Sequence, residues 1–183
     1  EPRWGQIAHD LAVNDFRSDV MEACARQSAC ELETWVSEGE FLAHPDTVTY
    51  TPANGRAARR QVRPDGFFTV RHGTYRSRLL LELDRATEDN PRFVRQKVLP
   101  GLAYLRSGAY RRRSGYQSGR WLVVTTGERR LRNLKQQTEY AVGDEARVFW
   151  FTTNDLVTPE TVLTRPIWAR GGSEQCAALV QGL

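Results

Sequence analysis

The spacing of apolar residues changes several times along this chain, and each change predicts a helix or a strand. Residues 6–26 place apolar side chains near one stripe at the helical repeat, which predicts a first helix. Apolar and polar residues alternate over 31–41, which predicts a strand, and 61–72 and 76–85 are typical of two further strands joined by a turn around Gly73. The basic stretch 44–60, which contains prolines, predicts an exposed connection between the first two strands.

A long helical segment is expected after the third strand. Residues 89–113 repeat apolar side chains at helical spacing, with Asn90 as the N-cap and Pro91 at the first helical position. Pro100 lies in the middle of this segment. Because proline has no backbone N–H, it should kink this helix or split it in two.

The second half of the chain alternates strands and helices. Residues 120–126 form a continuous apolar run typical of a buried strand, and 146–155 predicts another strand. Thr125 and Glu128 have capping-box spacing ahead of a predicted helix over 128–141. An edge strand and a terminal helix are expected in the tail. The order α, β, β, β, α, β, α, β needs crossovers that return to one sheet, so the predicted class is α/β with a central mixed sheet flanked by helices.

Length and composition limit the class of protein. The 183 residues predict a single domain over 1–183, and no apolar run approaches the ~20 residues of a membrane-spanning helix. Cys24, Cys30 and Cys176 show no C-x-x-C spacing, which favours a reducing, cytoplasmic compartment over a disulfide framework. The first residue is not methionine and no signal-peptide pattern follows it, so the chain is expected to be a fragment that lacks an N-terminal domain.

The basic residues are almost all arginine. The formal net charge is +4, the sequence pI is about 9.2, and Lys97 and Lys135 are the only lysines. Guanidinium groups bind phosphate through paired hydrogen bonds and stack on bases, so DNA is the expected partner. A high-GC coding sequence explains the same arginine bias equally well.

Carboxylates occupy one face of the strand predicted over 76–85. Glu82 and Asp84 alternate with leucines, about 7 Å apart along the strand. If the two neighbouring strands pair, Asp65 comes beside Glu82. Clustered carboxylates repel one another unless a cation neutralises them, and oxygen ligands on rigid strands suit Mg²⁺ or Mn²⁺. The alternative is internal pairing of these acids with a nearby arginine such as Arg85.

Two resemblances follow from these residues. Pro64-Asp65, sixteen intervening residues and then Glu82-Leu83-Asp84 resemble the PD-(D/E)XK nuclease signature of the restriction-endonuclease-like fold. The stretches "RPDGFFTV", "LLLELDRATED" and "HDLAVNDFR", with the arginine-rich helix, resemble the bacterial replication-relaxation family over roughly residues 7–155. The family resemblance implies a metal-dependent nuclease-like domain acting on DNA in plasmid replication or mobilisation. It also implies a winged-helix domain ahead of this region and partners among replication or conjugation proteins.

The resemblance assigns roles to particular residues. Asp65 and Glu82 match the metal-binding acids of the signature, with Asp84 as a third candidate metal ligand. The signature expects lysine where Asp84 stands, and Lys97 on the following helix is the candidate substitute. The implied catalytic set is therefore Asp65, Glu82, Asp84 and Lys97, with His9 or Asp10 of the first helix as candidate contributors.

Arginine clusters are the candidate nucleic-acid contacts. Arg111, Arg112 and Arg113 lie between tyrosines, and Arg59 and Arg60 lie in the predicted loop before the first acid. Three hypotheses remain open on the sequence: a metal-dependent nuclease, a DNA-binding module of the same fold without cleavage, and a scaffold whose acids form internal salt bridges.

Overall fold

The computed structural model describes residues 4–52, 55–85 and 89–180. The helices are α1 (Trp4–Ala25), α2 (Glu38–Ala43), α3 (Asn90–Phe93), α4 (Leu99–Leu105), α5 (Gly108–Ser114) and α6 (Glu128–Val142). The strands are β1 (Cys30–Ser37), β2 (Asp46–Tyr50), β3 (Ala58–Val62), β4 (Gly66–His72), β5 (Tyr75–Leu83), β6 (Arg120–Thr125), β7 (Phe149–Thr153), β8 (Trp168–Arg170) and β9 (Cys176–Ala177). Short 3₁₀ turns cover Gly143–Val148 and Asn154–Leu156.

One mixed sheet organises the described residues. Seven of their strands follow the order β1-β4-β5-β6-β7-β8-β9, while β2 and β3 form a separate antiparallel hairpin. β5, β6 and β7 are parallel, and the remaining neighbours in the sheet are antiparallel. Parallel neighbours need crossovers, which the helical segment after β5 and α6 provide. The predicted α/β class, with a central mixed sheet flanked by helices, is therefore confirmed.

Apolar side chains cover both faces of this sheet. On one face, Phe16 and Val20 of α1 pack with Phe68 and Leu81 of the sheet. On the other face, the helices that follow β5 pack on a second group of buried residues. Leucines at successive positions of β5 alternate between the two groups, which explains why this strand is apolar almost throughout.

The helical segment after β5 is interrupted ahead of its proline. Asp89, one residue before the predicted Asn90, is the N-cap, and its side chain accepts a hydrogen bond from the Arg92 amide. Residues Val94–Val98 form a π-helical turn that leads into α4, with Pro100 near the start of that helix. The chain is not split at Pro100, because it stays helical from Asn90 to Leu105 with the π-helical turn directly ahead of α4.

Several further local predictions were wrong, although the edge strand expected in the tail is present as β9 at the end of the sheet. The stretch predicted as an exposed connection contains the β2–β3 hairpin, because Val48 and Val62 bury their side chains under the helices. Thr125 does not cap α6, because the Thr125 hydroxyl donates a hydrogen bond to Asp84 instead. The N-cap of α6 is Gly127. Residues 157–180 contain β8 and β9, and no α-helix occurs in that part of the tail.

Among the described residues, no helix is both long enough and apolar enough to cross a membrane.

Candidate active site at the acidic end of the sheet

Asp65 is fixed at the end of the β4–β5 pair by backbone hydrogen bonds. Its amide donates to the Leu81 carbonyl at 2.9 Å, and its Oδ2 accepts from the Leu83 amide at 2.6 Å. The carboxylate thus continues the hydrogen-bond ladder where β4 begins. The next residue must be Gly66, since a Cβ there would lie 2.8 Å from the Trp35 ring.

Glu82 lies in the position opposite Asp65. The strands pair Gly66 with Leu81, so the following pair of opposed residues is Asp65 and Glu82. Both side chains are about 94% buried, since each residue keeps 6% of its accessible surface. The pKa of Glu82 is raised to about 8, chiefly by burial and also by the charge of Asp65, while Lys97 opposes both effects. The two predicted acids therefore influence each other electrostatically.

Lys97 reaches this pair from the π-helical turn. Its Nζ lies 2.7 Å from Oε1 and 2.8 Å from Oε2 of Glu82. The neighbouring Val98 is fully buried and anchors the turn, while the lysine side chain keeps about a third of its surface exposed. The candidate substitute for the missing signature lysine is thus placed beside the second acid.

His9 and Glu38 complete the surroundings of Asp65. His9 of α1 places Nε2 3.0 Å from Asp65 Oδ1, and this hydrogen bond raises the pKa of His9. One ligand atom from each of His9, Glu38 and Asp65 lies within 4.8 Å of the others. Asp10 lines the pocket that also contains His9, Glu38 and Asp65. It is exposed, however, and accepts a hydrogen bond from Gln6. Of the two first-helix candidates, His9 is therefore the one that contacts an acid.

Asp84 has different partners from the other two acids. Arg130 of α6 donates to both of its oxygens, at 2.9 and 3.0 Å, and the Thr125 hydroxyl donates at 2.7 Å. The third guanidinium nitrogen of Arg130 donates a hydrogen bond to the side-chain oxygen of Asn90. This arginine fork is the internal pairing that the sequence offered as the alternative to metal binding, although the arginine comes from α6 rather than from the strands.

A basic cleft opens next to Lys97. It has a volume of about 470 Å³ and lies between strand β3 and the turn that carries Lys97. Its charged lining residues are Arg59, Arg60, Arg63 and Lys97. No acidic side chain of the described residues lines it, so the cleft favours an anion. The predicted pair Arg59 and Arg60 therefore lies on a strand that faces the candidate site.

The three arginines of α5 do not share one role. Arg113 is half-buried: it forms an ion pair with Asp46, donates to the His44 carbonyl and stacks over Phe41. These contacts hold the β2–β3 hairpin against the helices. Arg111 and Arg112 are exposed on the same helix. Of this predicted cluster, only the exposed pair has the accessibility that a phosphate contact requires.

The donor set fits a hard divalent cation. Asp65 and Glu82 supply buried carboxylate oxygens, and the raised pKa of Glu82 expresses the cost of burying its negative charge and, to a smaller extent, of holding that charge near Asp65. A dication lowers that cost, and carboxylate oxygens are the ligands that Mg²⁺ and Mn²⁺ prefer. The nearby imidazole of His9 suits Mn²⁺ better than Mg²⁺.

Sequence reasoning missed Glu38 and Arg63. The alternation over 31–41 predicts a strand that includes Glu38. Ser37 and Glu40 nevertheless have capping-box spacing, and the Glu40 side chain accepts a hydrogen bond from the Ser37 amide. That spacing was the available signal for α2. Arg63 lines the basic cleft, and nothing in the sequence distinguishes it from the other arginines.

Comparison with known proteins gives one match. The sequence profile of a protein family described as replication-relaxation matches residues 1–112, which extend from the start of the chain into α5. The matched region includes Asp65, Glu82 and Lys97. No curated protein and no solved structure matches this chain.

Proposed function

The chain belongs to the replication-relaxation family, and on that premise we propose that it is a metal-dependent nuclease-like domain that acts on DNA in plasmid replication or mobilisation. The observation that carries this proposal is the arrangement of Asp65, Glu82 and Lys97. Two buried acids from adjacent strands lie beside one lysine, at the edge of a cleft lined by arginines. This arrangement agrees with the resemblance to the PD-(D/E)XK signature, with the lysine supplied by the following helix.

The residues of the site would have the following roles. Asp65 and Glu82 hold Mg²⁺ or Mn²⁺, which when bound supplies a water of lowered pKa and neutralises charge on the phosphodiester. Arg59, Arg60 and Arg63 bind the flanking phosphates.

Lys97, already within hydrogen-bond distance of Glu82, supplies a positive charge where negative charge develops. We assign Asp84 a structural role instead, because Arg130 and Thr125 donate hydrogen bonds to its oxygens.

A second candidate function is DNA binding without cleavage, as a module that positions a replication or conjugation partner. One observation favours it. The oxygens of the acid pair already have internal partners: His9 and the Leu83 amide for Asp65, and Lys97 for both oxygens of Glu82. Cation binding must replace or share some of these contacts. The basic cleft serves this second function equally well.

A plasmid-nicking assay separates the two functions. Supercoiled DNA is incubated with the native chain, Asp65→Asn, Glu82→Gln and Lys97→Met, each in Mg²⁺, Mn²⁺ and chelator. Lys135→Met is the matched control, because Lys135 pairs with Glu139 on α6 and is not among the residues that line the cleft. The nuclease proposal expects nicking by the native chain and by the control, lowered at least about 100-fold in the three site variants.

Equal nicking by all five proteins indicates a contaminant and refutes the nuclease. DNA binding that weakens steeply with salt, in the absence of any metal-dependent nicking, supports the second function instead.

A further inference from the structure

Two cysteines lie side by side where the first helix meets the first strand. Cys24 is buried near the end of α1, and Cys30 is the half-buried first residue of β1. Both are free thiols, and their Sγ atoms are 3.8 Å apart. Because a disulfide has an S–S length of about 2.05 Å, each sulfur needs to move only ~0.9 Å for a bond to form.

The fold holds the two thiols on the same side of the sheet. Both cysteines belong to the apolar layer in which α1 packs on the sheet. The Gln27 amide donates a hydrogen bond to the Cys24 carbonyl at 3.0 Å, and the Cys30 amide donates to the Gln27 carbonyl at 2.9 Å. These two turns fix the connection between the helix and the strand, so the sulfurs are close without any rearrangement of the backbone.

A cleft gives small molecules access to this pair of cysteines. Its volume is about 440 Å³, and both Cys24 and Cys30 line it. Met21 and Trp35 contribute apolar surface to the cleft, and Arg17 contributes a positive charge. A tripeptide thiol such as glutathione fits this volume, and its carboxylates suit the guanidinium group of Arg17.

Burial keeps both thiols protonated at neutral pH. It raises the pKa of Cys24 to about 12, and it also raises the pKa of Cys30. The neighbouring charges act in opposite directions, since Glu31 raises the pKa of Cys24 while Arg71 lowers the pKa of Cys30. Only a thiolate attacks a disulfide, so the pair reacts slowly at neutral pH and faster as the pH rises.

We propose that Cys24 and Cys30 form a redox-sensitive modification site, which a small-molecule disulfide such as oxidised glutathione converts into a Cys24–Cys30 disulfide. The thiolate of Cys30, the more exposed cysteine, attacks one sulfur of the oxidant, which forms a mixed disulfide and releases one small thiol. The Cys24 thiolate then attacks the Cys30 sulfur and releases the second small thiol. The pair thereby loses two hydrogen atoms, and the oxidant is reduced to two thiols. The proposal does not rest on the nuclease function.

The disulfide would fasten α1 to the edge of the sheet. β1 is the edge strand, and the buried residues of α1 all lie in the second half of the helix, from Phe16 to Cys24. A cross-link that closes a short loop removes conformational freedom chiefly from the unfolded chain. The oxidised protein should therefore melt about 5 °C above the reduced protein.

Peptide mapping of the native chain without reductant tests the site. Trypsin cleaves after Arg26, so Cys24 and Cys30 fall in separate peptides unless a disulfide joins them. After incubation of the folded protein with oxidised glutathione, the two peptides should be joined, and the initial rate should rise about tenfold from pH 7 to pH 8. Cys176→Ser, which removes the exposed third cysteine, is the control and should behave like the native chain.

Cys24→Ser should stop at the mixed disulfide on Cys30, because it lacks the second thiol. The native chain and the control decide the result by themselves, so the test survives a Cys24→Ser chain that does not fold. Three results overturn the proposal: no reaction at Cys30, a mixed disulfide on Cys30 that persists in the native chain, or a cross-link from either cysteine to Cys176.

Thermal unfolding of the oxidised and the reduced native chain gives a second readout, which needs no variant. The oxidised chain should have the higher Tm, and addition of a dithiol reductant should return the Tm to that of the reduced chain. A Tm that oxidation leaves unchanged or lowers would show that the folded state does not favour the bond, and would overturn the proposal.

Discussion

The amine of Lys97 lies within 2.8 Å of both oxygens of Glu82, although fifteen positions separate the two residues in the chain. One residue belongs to a helical turn and the other to the strand before it. Their contact brings a cation to a buried acid that faces a second acid, Asp65.

Replacing Lys97 by methionine should destabilise the protein in a pH-dependent way. The substitution leaves Glu82 buried without its counter-charge, which costs up to about 3 kcal/mol when Glu82 is ionised. The cost should therefore be large at pH 9 and small at pH 5, where Glu82 is neutral. Urea unfolding at both values measures it, with Lys135→Met as the control. An equal loss at the two pH values would show that packing of the lysine stem, rather than its charge, is what matters.

The stability of the native chain should fall as the pH rises from about 5 to 8 in chelator. Burial raises the pKa of Glu82 to about 8, and the Asp65 hydrogen bond raises the pKa of His9. Since the folded state then binds more protons than the unfolded chain, the free energy of unfolding decreases as either group loses its proton. Glu82→Gln should reduce this fall by at least about 1 kcal/mol, measured by urea unfolding across the range. Parallel curves for native and variant would contradict the prediction.

Divalent cations should stabilise the protein through Asp65 and Glu82. We expect Mn²⁺ to raise the Tm by several degrees relative to chelator, and more at pH 8 than at pH 6, because the cation competes with protons for Glu82. Asp65→Asn should abolish the shift. Asp84→Asn should retain it, because Asp84 is engaged by Arg130. Loss of the shift in Asp84→Asn would instead make Asp84 a ligand, as the sequence alone predicted.

The pair formed by Asp84 and Arg130 should be structural. Removing either partner leaves a buried charge, so Asp84→Asn and Arg130→Met should each lower the free energy of unfolding by about 3 kcal/mol. The double variant should lose much less than the sum of the two, which a double-mutant cycle in urea measures. Additive losses would mean that the interaction between Arg130 and Asp84 contributes little to the free energy of unfolding.

Arginines of α5 should affect DNA binding in two different ways. Arg113→Met removes the ion pair with Asp46, so it should weaken binding by displacing the hairpin that carries Arg59 and Arg60. Tyr104→Phe, which removes the second hydrogen bond to Asp46, should weaken binding in the same way but less.

Arg111→Met should leave the hairpin in place, and if Arg111 contacts a phosphate it should reduce the salt dependence of binding by about one unit of slope. Fluorescence titrations of a DNA duplex at several salt concentrations separate the two cases. Identical salt slopes in native, Arg111→Met and Arg113→Met would exclude both residues as direct phosphate contacts.

Local pattern determined the secondary structure where one periodicity dominated. The apolar runs of β4 and β5 and the helical spacing in α1 and α6 were sufficient, because buried side chains of all four elements pack in the two layers around the sheet. The β2–β3 hairpin and α2 were missed for the opposite reason. Few of their residues are buried, and contacts such as Asp46 with Tyr104 stabilise them from distant parts of the chain.

The sequence by itself determined the α/β class and the opposed positions of Asp65 and Glu82, because strand alternation and antiparallel register follow from local geometry. Only the tertiary structure decided which basic side chain forms an ion pair with which acidic side chain. Because arginine is abundant in this chain, sequence spacing could not show that Arg130 is the ion-pair partner of Asp84 or that a lysine, and not an arginine, pairs with Glu82. Those pairings depend on the crossover helices, whose placement on the sheet is fixed by apolar packing far from the charges that they bring together.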